Sequence, residues 1–273
     1  MKTSPVLIFV ATLLFSVAGF FLRLTQLSSE MLPNGFLAEG SWLHIVLLAL
    51  TAVLLLGLIL LLRPLEQRAR WCSAFSKAPF ANILLLLAAL GILVSNLLLI
   101  ITGNELPASA VSAPRMIAVL NSARPAFGII AAACVAAFAI ACLLGKKASP
   151  LYFMIVSVYL TVRLILHFQR WNTDPSIHTY GYQLLAAICT MLGSFQLAGF
   201  SFDKGKRRIC LFWCLCAIFF CSITGADCLR HADAAELLVN LSLLLVTVAA
   251  SFQLLFSPAS LSDSAEASAE ERS

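Results

Sequence analysis

Eight separate stretches of mostly apolar residues, each about 20 residues long, follow one another along this chain. A helix of about 20 apolar residues crosses a hydrocarbon core about 30 Å thick. Only 11% of the 273 residues are charged, whereas soluble proteins carry about 25%. The sequence therefore predicts an all-α fold, a polytopic integral membrane protein that forms one bundle of eight transmembrane helices over residues 1–256. The predicted spans are Pro5–Leu22, Trp42–Leu62, Phe80–Thr102, Pro125–Leu144, Pro150–His167, Gly181–Phe202, Ile209–Ala226 and Ala234–Phe256.

Lysine and arginine are concentrated in the connections that follow the second, fourth and sixth predicted spans. The positive-inside rule places these connections in the cytoplasm, and with them both termini, in a bacterial-type plasma membrane. The tail, residues 257–273, is rich in Ser, Ala, Asp and Glu, so we expect a disordered acidic cytoplasmic segment. The net charge of +5 indicates no nucleic-acid partner, because the chain has no soluble domain to present a basic face.

The first span has two interpretations. Lys2, an apolar region and the small residues 17–19 are also typical of a cleaved signal peptide, whose loss would leave seven helices. The apolar run continues through Phe20, Phe21 and Leu22, beyond the length of an ordinary signal core. The longer run favours a retained helix.

The nine cysteines are more numerous than a membrane bundle needs, and four of them are aligned. Cys210, Cys214, Cys221 and Cys228 share one face of the seventh span, because they are four, seven and seven residues apart. We interpret them as small apolar residues at which helices approach closely. A metal or redox site is disfavoured, since the chain has no CxxC pair and its histidines match no metal-ligand spacing. No metal and no cofactor are therefore expected.

Arg163 lies inside the apolar stretch of the fifth span, where an ionisable group costs roughly 3 kcal/mol by insertion scales. His167 and Arg170 follow it at four and seven residues, so the three side chains share one helix face. A buried arginine needs an anionic partner. The predicted partner is Glu236, the deepest carboxylate, ahead of Asp227, Asp233 and Glu105.

Polar side chains are more frequent in the predicted outer half of the bundle than in the inner half. This bias predicts an outward-facing polar pocket with Arg163 at its floor, which binds a small anionic solute. Two other interpretations of Arg163 stay open, an ion pair that only locks helices together and a side chain that reaches the outer headgroups. The ligand-binding candidates are Arg163, His167, Glu236, Asn240, Arg170 and Asp227.

Three functions are compatible with this pattern. The first is a small-solute transporter or permease component. The second is a non-catalytic sensor, scaffold or subunit with a membrane protein partner, favoured by the absence of any soluble domain or catalytic motif. The third is an intramembrane enzyme acting on lipid or peptide, which needs Glu236 beside His167 or His44. A non-enzyme is favoured, and no catalytic residue is assigned.

Overall fold

The computed structural model describes residues 5–30, 41–63, 78–102, 115–146, 149–171, 177–202, 205–231 and 233–256. Within these ranges the protein is all-helical, and eight helices are long and apolar enough to cross a membrane, as predicted. The acidic tail, residues 257–273, lies outside the described residues. The helices are α1 Pro5–Ser29, α2 Trp42–Leu62, α3 Pro79–Thr102, α4 Arg115–Leu143, α5 Tyr152–Trp171, α6 Ile177–Gly199, α7 Arg207–His231 and α8 Ala234–Phe256, with a short 3₁₀ helix Phe200–Phe202 after α6.

Helices α1 and α4 extend well beyond their predicted ends, and in both helices the predicted end lies next to an arginine. α1 continues past Leu22 to Ser29, and α4 begins at Arg115 rather than at Pro125, which lies inside the helix. The sequence prediction ended each span beside Arg23 or Arg124, because charge is a usual sign of a helix end. In the structure both guanidinium groups meet a carboxylate, so both helices continue through these residues.

Helices α3 to α8 pack in sequence order into a closed ring, since α8 also packs against α3. Helix α7 packs in addition against α1, and α2 packs mainly on α1. In the most apolar segment of α7, 78% of the residues are buried, whereas in that of α2 the share is 28%. Helix α7 is therefore the centre of the bundle, and α2 is peripheral.

The aligned cysteines explain how α7 packs so closely against its neighbours. Cys210, Cys214, Cys221 and Cys228 are all buried, and every described cysteine is a free thiol. A Cβ added to Gly193 of α6 would lie 3.2 Å from Cys214 Sγ. All four cysteines are buried as small residues, and the close helix contact is seen at Cys210 and Cys214, which lie against Gly193.

The two ends of the bundle differ in chemistry. We call the end at which α1, α3, α5 and α7 finish the ionic end, because all four acidic residues of the described ranges lie there. At the opposite end Arg207 Nε donates to the carbonyl of Leu254 at 2.9 Å, and Gln253 Nε2 donates to Asn82 Oδ1 at 2.9 Å. The opposite end is therefore held by cation–carbonyl and amide contacts, and ion pairs are found at the ionic end.

A substitution of Gly128 tests the contact between α3 and α4. A Cβ at Gly128 would lie 2.2 Å from Asn96 Oδ1, and Asn96 is fully buried. We expect Gly128→Ala to lower the free energy of unfolding by about 1–3 kcal/mol, because overpacking forces side chains and backbone to shift. Thermal unfolding in detergent measures this.

The matched control is Gly57→Ala in α2, where an added Cβ meets nothing within 4 Å. Alanine is about 1 kcal/mol better than glycine in a helix interior, so this variant should be as stable as wild type or more so. Equal midpoints for the Gly57 and Gly128 variants would contradict the close approach of α3 and α4.

Candidate functional site

Four side chains from three helices meet at the ionic end, and we call Arg124, Arg163, His167 and Glu236 the ionic cluster. Arg124 Nη2 is 2.5 Å from Glu236 Oε1, and Arg163 Nη2 binds the other oxygen, Oε2. His167 Nε2 lies 3.5 Å from Oε1. The exposed fractions of these side chains are 10% for Arg124, 8% for Arg163, 11% for His167 and 14% for Glu236. The cluster is thus a buried carboxylate held by two guanidinium groups and approached by an imidazole.

The local fold places each member. Arg163 and His167 are one turn apart on the same face of α5. Glu236 is in the first turn of α8, and its backbone N–H donates to Asp233 Oδ1 at 3.0 Å, which caps that helix. Arg124 lies in the turn of α4 that precedes Pro125 along the chain. Helices α4 and α5 are neighbours in the ring, and their two arginine side chains reach the same carboxylate on α8.

The pairing of Arg163 with Glu236 was predicted and is confirmed. Arg124 was missed, because a charged residue before a proline is usually read as a loop. The signal that points to it is the apolar segment Ile117–Leu120, which precedes Arg124 and extends the helix outward. A proline inside such a helix is tolerated, since neighbouring helices satisfy the freed backbone groups.

The ionic cluster carries more positive than negative charge. Two guanidinium groups face one carboxylate, so one positive charge remains when His167 is neutral. Asp233 lies nearby, but it is only half-buried and its carboxylate caps α8. The amino-terminal end of α8 adds a positive partial charge beside Glu236. A second anion would be attracted to this position.

The ionic cluster also has unused hydrogen-bond donors. Nε of Arg124 and Nε of Arg163 are buried and donate to no acceptor among the described residues. More than about 90% of buried polar groups in proteins are hydrogen-bonded, so each of these donors can take a further acceptor, which an anion or a water can supply. Both donors and the surplus charge favour an anion as the missing partner.

Polar side chains continue from the cluster toward the interior of the bundle. Tyr159 is one turn further inside α5 than Arg163, and its hydroxyl lies 3.4 Å from Asn96 Nδ2 of α3. Both residues are fully buried, and Asn96 Oδ1 accepts no hydrogen bond within the described part of the chain. The α3–α5 contact below Arg163 is therefore polar.

Two of the predicted ligand-binding residues lie in other interactions. Asn240 Nδ2 donates to the carbonyl of Cys221 at 2.6 Å, so this amide group connects α8 to α7 rather than to Arg163. Asp227 Oδ1 accepts from Arg23 Nε at 2.7 Å rather than from Arg163. Both residues contact α7 or lie on it, and the central position of α7 cannot be inferred from the sequence of any one helix. Arg170 lies in the last turn of α5, but its side chain is outside the described part.

The pair of Arg23 and Asp227 is a second buried ionic contact, between α1 and α7. Arg23 is fully buried and Asp227 is 2% exposed. Arg23 Nη1 donates to Gln26 Oε1 at 2.9 Å, and its Cζ lies 5.3 Å from the ring centroid of Tyr182. One positive and one negative charge balance here, so this contact has no surplus charge to attract an anion.

The side chains of the ionic cluster are at most 14% exposed, so the outward-facing pocket stays a prediction. A cavity of about 680 Å³ lies between α1 and α2, and one of about 410 Å³ lies between α1, α7 and α8. Both are mostly apolar, and neither is lined by a residue of the cluster. In the described ranges no three His, Cys, Asp or Glu side chains converge as metal ligands.

No protein-family model matches the sequence, and comparisons with curated proteins and with solved structures find no match. The class of the protein therefore rests on its own fold and site. The described chain is a helical bundle with eight helices apolar enough to cross a bilayer. Its distinguishing feature is a buried cluster of two arginines, one histidine and one glutamate at the ionic end.

Proposed function

We propose that this protein is a multi-pass protein of a bacterial-type plasma membrane, with both termini in the cytoplasm, that binds and transports a small anionic solute at the ionic cluster. The observation that carries the proposal is the composition of the cluster. Two buried arginines share one carboxylate, and each retains an unused Nε donor. Charged groups inside a bilayer are costly and usually mark a solute or ion pathway.

The geometry suits exchange between an internal and an external anion. Glu236 uses one oxygen for Arg124 and the other for Arg163, and each guanidinium group keeps an Nε donor for solute. Arg163, Tyr159 and Asn96 then supply polar groups along the first part of a route into the bundle. Transport requires the closed cluster to open, and we assign that opening to a relative motion of α4, α5 and α8.

Arg163→Gln tests this function. We expect sodium salts of small anions to raise the thermal unfolding midpoint of wild type in detergent, because a ligand that binds only the native state stabilises it. At 100 times its Kd, one anion adds about 2.7 kcal/mol. The midpoint of Arg163→Gln should not respond, and uptake of the same radiolabelled anion into proteoliposomes should be lost.

The matched control is Arg230→Gln, which removes an exposed arginine at the ionic end. It should keep both the response to anions and the uptake. Equal responses of wild type and Arg163→Gln to every anion tested would contradict anion binding at the cluster.

The second candidate function is a non-catalytic membrane module with a protein partner. Its supporting observation is that the cluster ties α4, α5 and α8 together by ion pairs, which is a structural role. The helices are also continuous over their described lengths, whereas many transporters contain interrupted helices. In that case Arg163→Gln would only melt at a lower temperature, and a stable partner would copurify with the wild-type protein.

The enzyme hypothesis has weaker support from the same geometry. His167 Nε2 and Glu236 Oε1 are 3.5 Å apart, which is longer than the hydrogen bond of an acid–base pair. Both carboxylate oxygens are also bound by guanidinium groups, so neither oxygen is left to contact a substrate.

A further inference from the structure

We propose that the ionic cluster accepts one monovalent anion at a time, a small monocarboxylate, and that Glu236 sets this charge preference. The proposal rests on the anion-binding function above and names the class of solute. The anion binds beside Glu236 rather than in its place. Its acceptor oxygens meet Nε of Arg124 and Nε of Arg163, the two buried donors that no described residue uses.

The first argument is geometric. Both guanidinium groups reach the same carboxylate through Nη2, and in each group Nε is separated from Nη2 by two covalent bonds. Both Nε donors therefore lie beside Glu236, in the same buried region. Each Nε can donate one charge-assisted hydrogen bond, so an anion with two oxygens can accept one from each arginine. Glu236 itself shows that the cluster accommodates a carboxylate.

The second argument is the charge of the surroundings. Arg124, Arg163 and Glu236 together leave one positive charge, which one monovalent anion neutralises. Asp227 is balanced by Arg23, and the carboxylate of Asp233 is partly exposed, so solvent screens its charge. A divalent anion would leave one excess negative charge in a buried site, where such a charge is strongly disfavoured.

A series of charge variants tests the proposal, with radiolabelled acetate and succinate as probes in equilibrium dialysis against purified full-length protein. Arg124→Gln lowers the cluster charge to zero, and Glu236→Gln raises it to two positive charges. The double variant Arg124→Gln/Glu236→Gln returns the charge to that of wild type. Arg230→Gln, at the exposed position, is the control for charge outside the cluster. Elution as a single symmetrical species shows which variants are folded.

We expect wild type to bind about one acetate per chain and to prefer acetate over succinate. Glu236→Gln should shift this preference toward succinate by about tenfold or more, because one unit of charge is changed within contact distance. Arg124→Gln should lose acetate binding by about tenfold or more. The double variant also lacks the Arg124 donor, so it should bind acetate more weakly than wild type but regain the preference for acetate over succinate. If Glu236→Gln does not fold, the comparison of Arg124→Gln with the double variant makes the same test.

The outcomes separate this inference from the proposed function. Acetate binding that depends on Arg163, with the same acetate-to-succinate ratio in wild type and Glu236→Gln, would overturn the role of Glu236 and leave anion binding in place. If the double variant does not regain the preference for acetate over succinate, the charge argument is overturned in the same way. Binding of neither probe, together with no response of wild type to other anions, would overturn the proposed function itself.

Discussion

Replacement of Glu236 by alanine is expected to lower the free energy of unfolding by about 3–5 kcal/mol, the usual cost of removing one partner of a buried ion pair. The physical reason is that Arg124 and Arg163 lose their shared acceptor while both guanidinium groups stay buried. Thermal unfolding in detergent, without added anions, measures the loss. The matched control is Glu30→Ala, which removes a half-buried carboxylate at the same end and should cost about 1 kcal/mol or less.

Added acetate should partly restore the Glu236→Ala protein, because a free carboxylate can occupy the position of the missing side chain. The restoration should depend on Arg124 and Arg163, so it should be absent when both arginines are also replaced. A Glu236→Ala protein as stable as wild type in the absence of anions would show that the two guanidinium groups are not buried together.

The triple variant Arg124→Met/Arg163→Met/Glu236→Met separates stability from function. Apolar residues of similar volume often replace a buried ionic group with no loss of stability, or with a gain of about 1–4 kcal/mol. If the cluster exists only to hold α4, α5 and α8 together, the triple variant should keep every property of the protein. The anion-site proposal requires instead that it folds well and no longer responds to anions.

The spans were predictable because each is a long apolar run, and hydropathy reports such runs directly. The ends of α1 and α4 were not, because Arg23 and Arg124 have the same local signature as loop arginines. Whether a charge ends a helix or continues inside it depends on the neighbouring helix that supplies the counter-ion. That neighbour is α7 for Arg23 and α8 for Arg124, both far away in the sequence.

The Arg163–Glu236 pair was predictable because few deep carboxylates were available at the same end. Asp227 was proposed for the same site, but the structure pairs it with Arg23, since α7 packs against α1 as well as α8. Asn240 was placed at the same site for a similar reason, but its amide donates to the backbone carbonyl of Cys221 on α7. Depth can be read from a sequence, but the order of helices around the bundle cannot.

The contact between Arg23 and Asp227 gives the second large effect. Asp227→Asn keeps the shape of the side chain but removes the charge that balances a fully buried arginine. We expect it to lower the free energy of unfolding by about 3–5 kcal/mol, and Arg23→Met/Asp227→Leu to recover most of that loss, because the double variant leaves no unpaired charge. Thermal unfolding of the wild type, the single and the double variant measures both steps.

The same double variant distinguishes the two buried ionic sites by their function. Because Arg23 and Asp227 balance each other, their joint removal leaves the surplus charge of the ionic cluster unchanged, so anion binding should persist at close to the wild-type affinity. Loss of anion binding in a well-folded double variant would show that the solute site extends to α1 and α7. If anion binding is retained in this double variant and lost in the triple methionine variant, the solute site is assigned to α4, α5 and α8. The pair of Arg23 and Asp227 is then a purely structural contact.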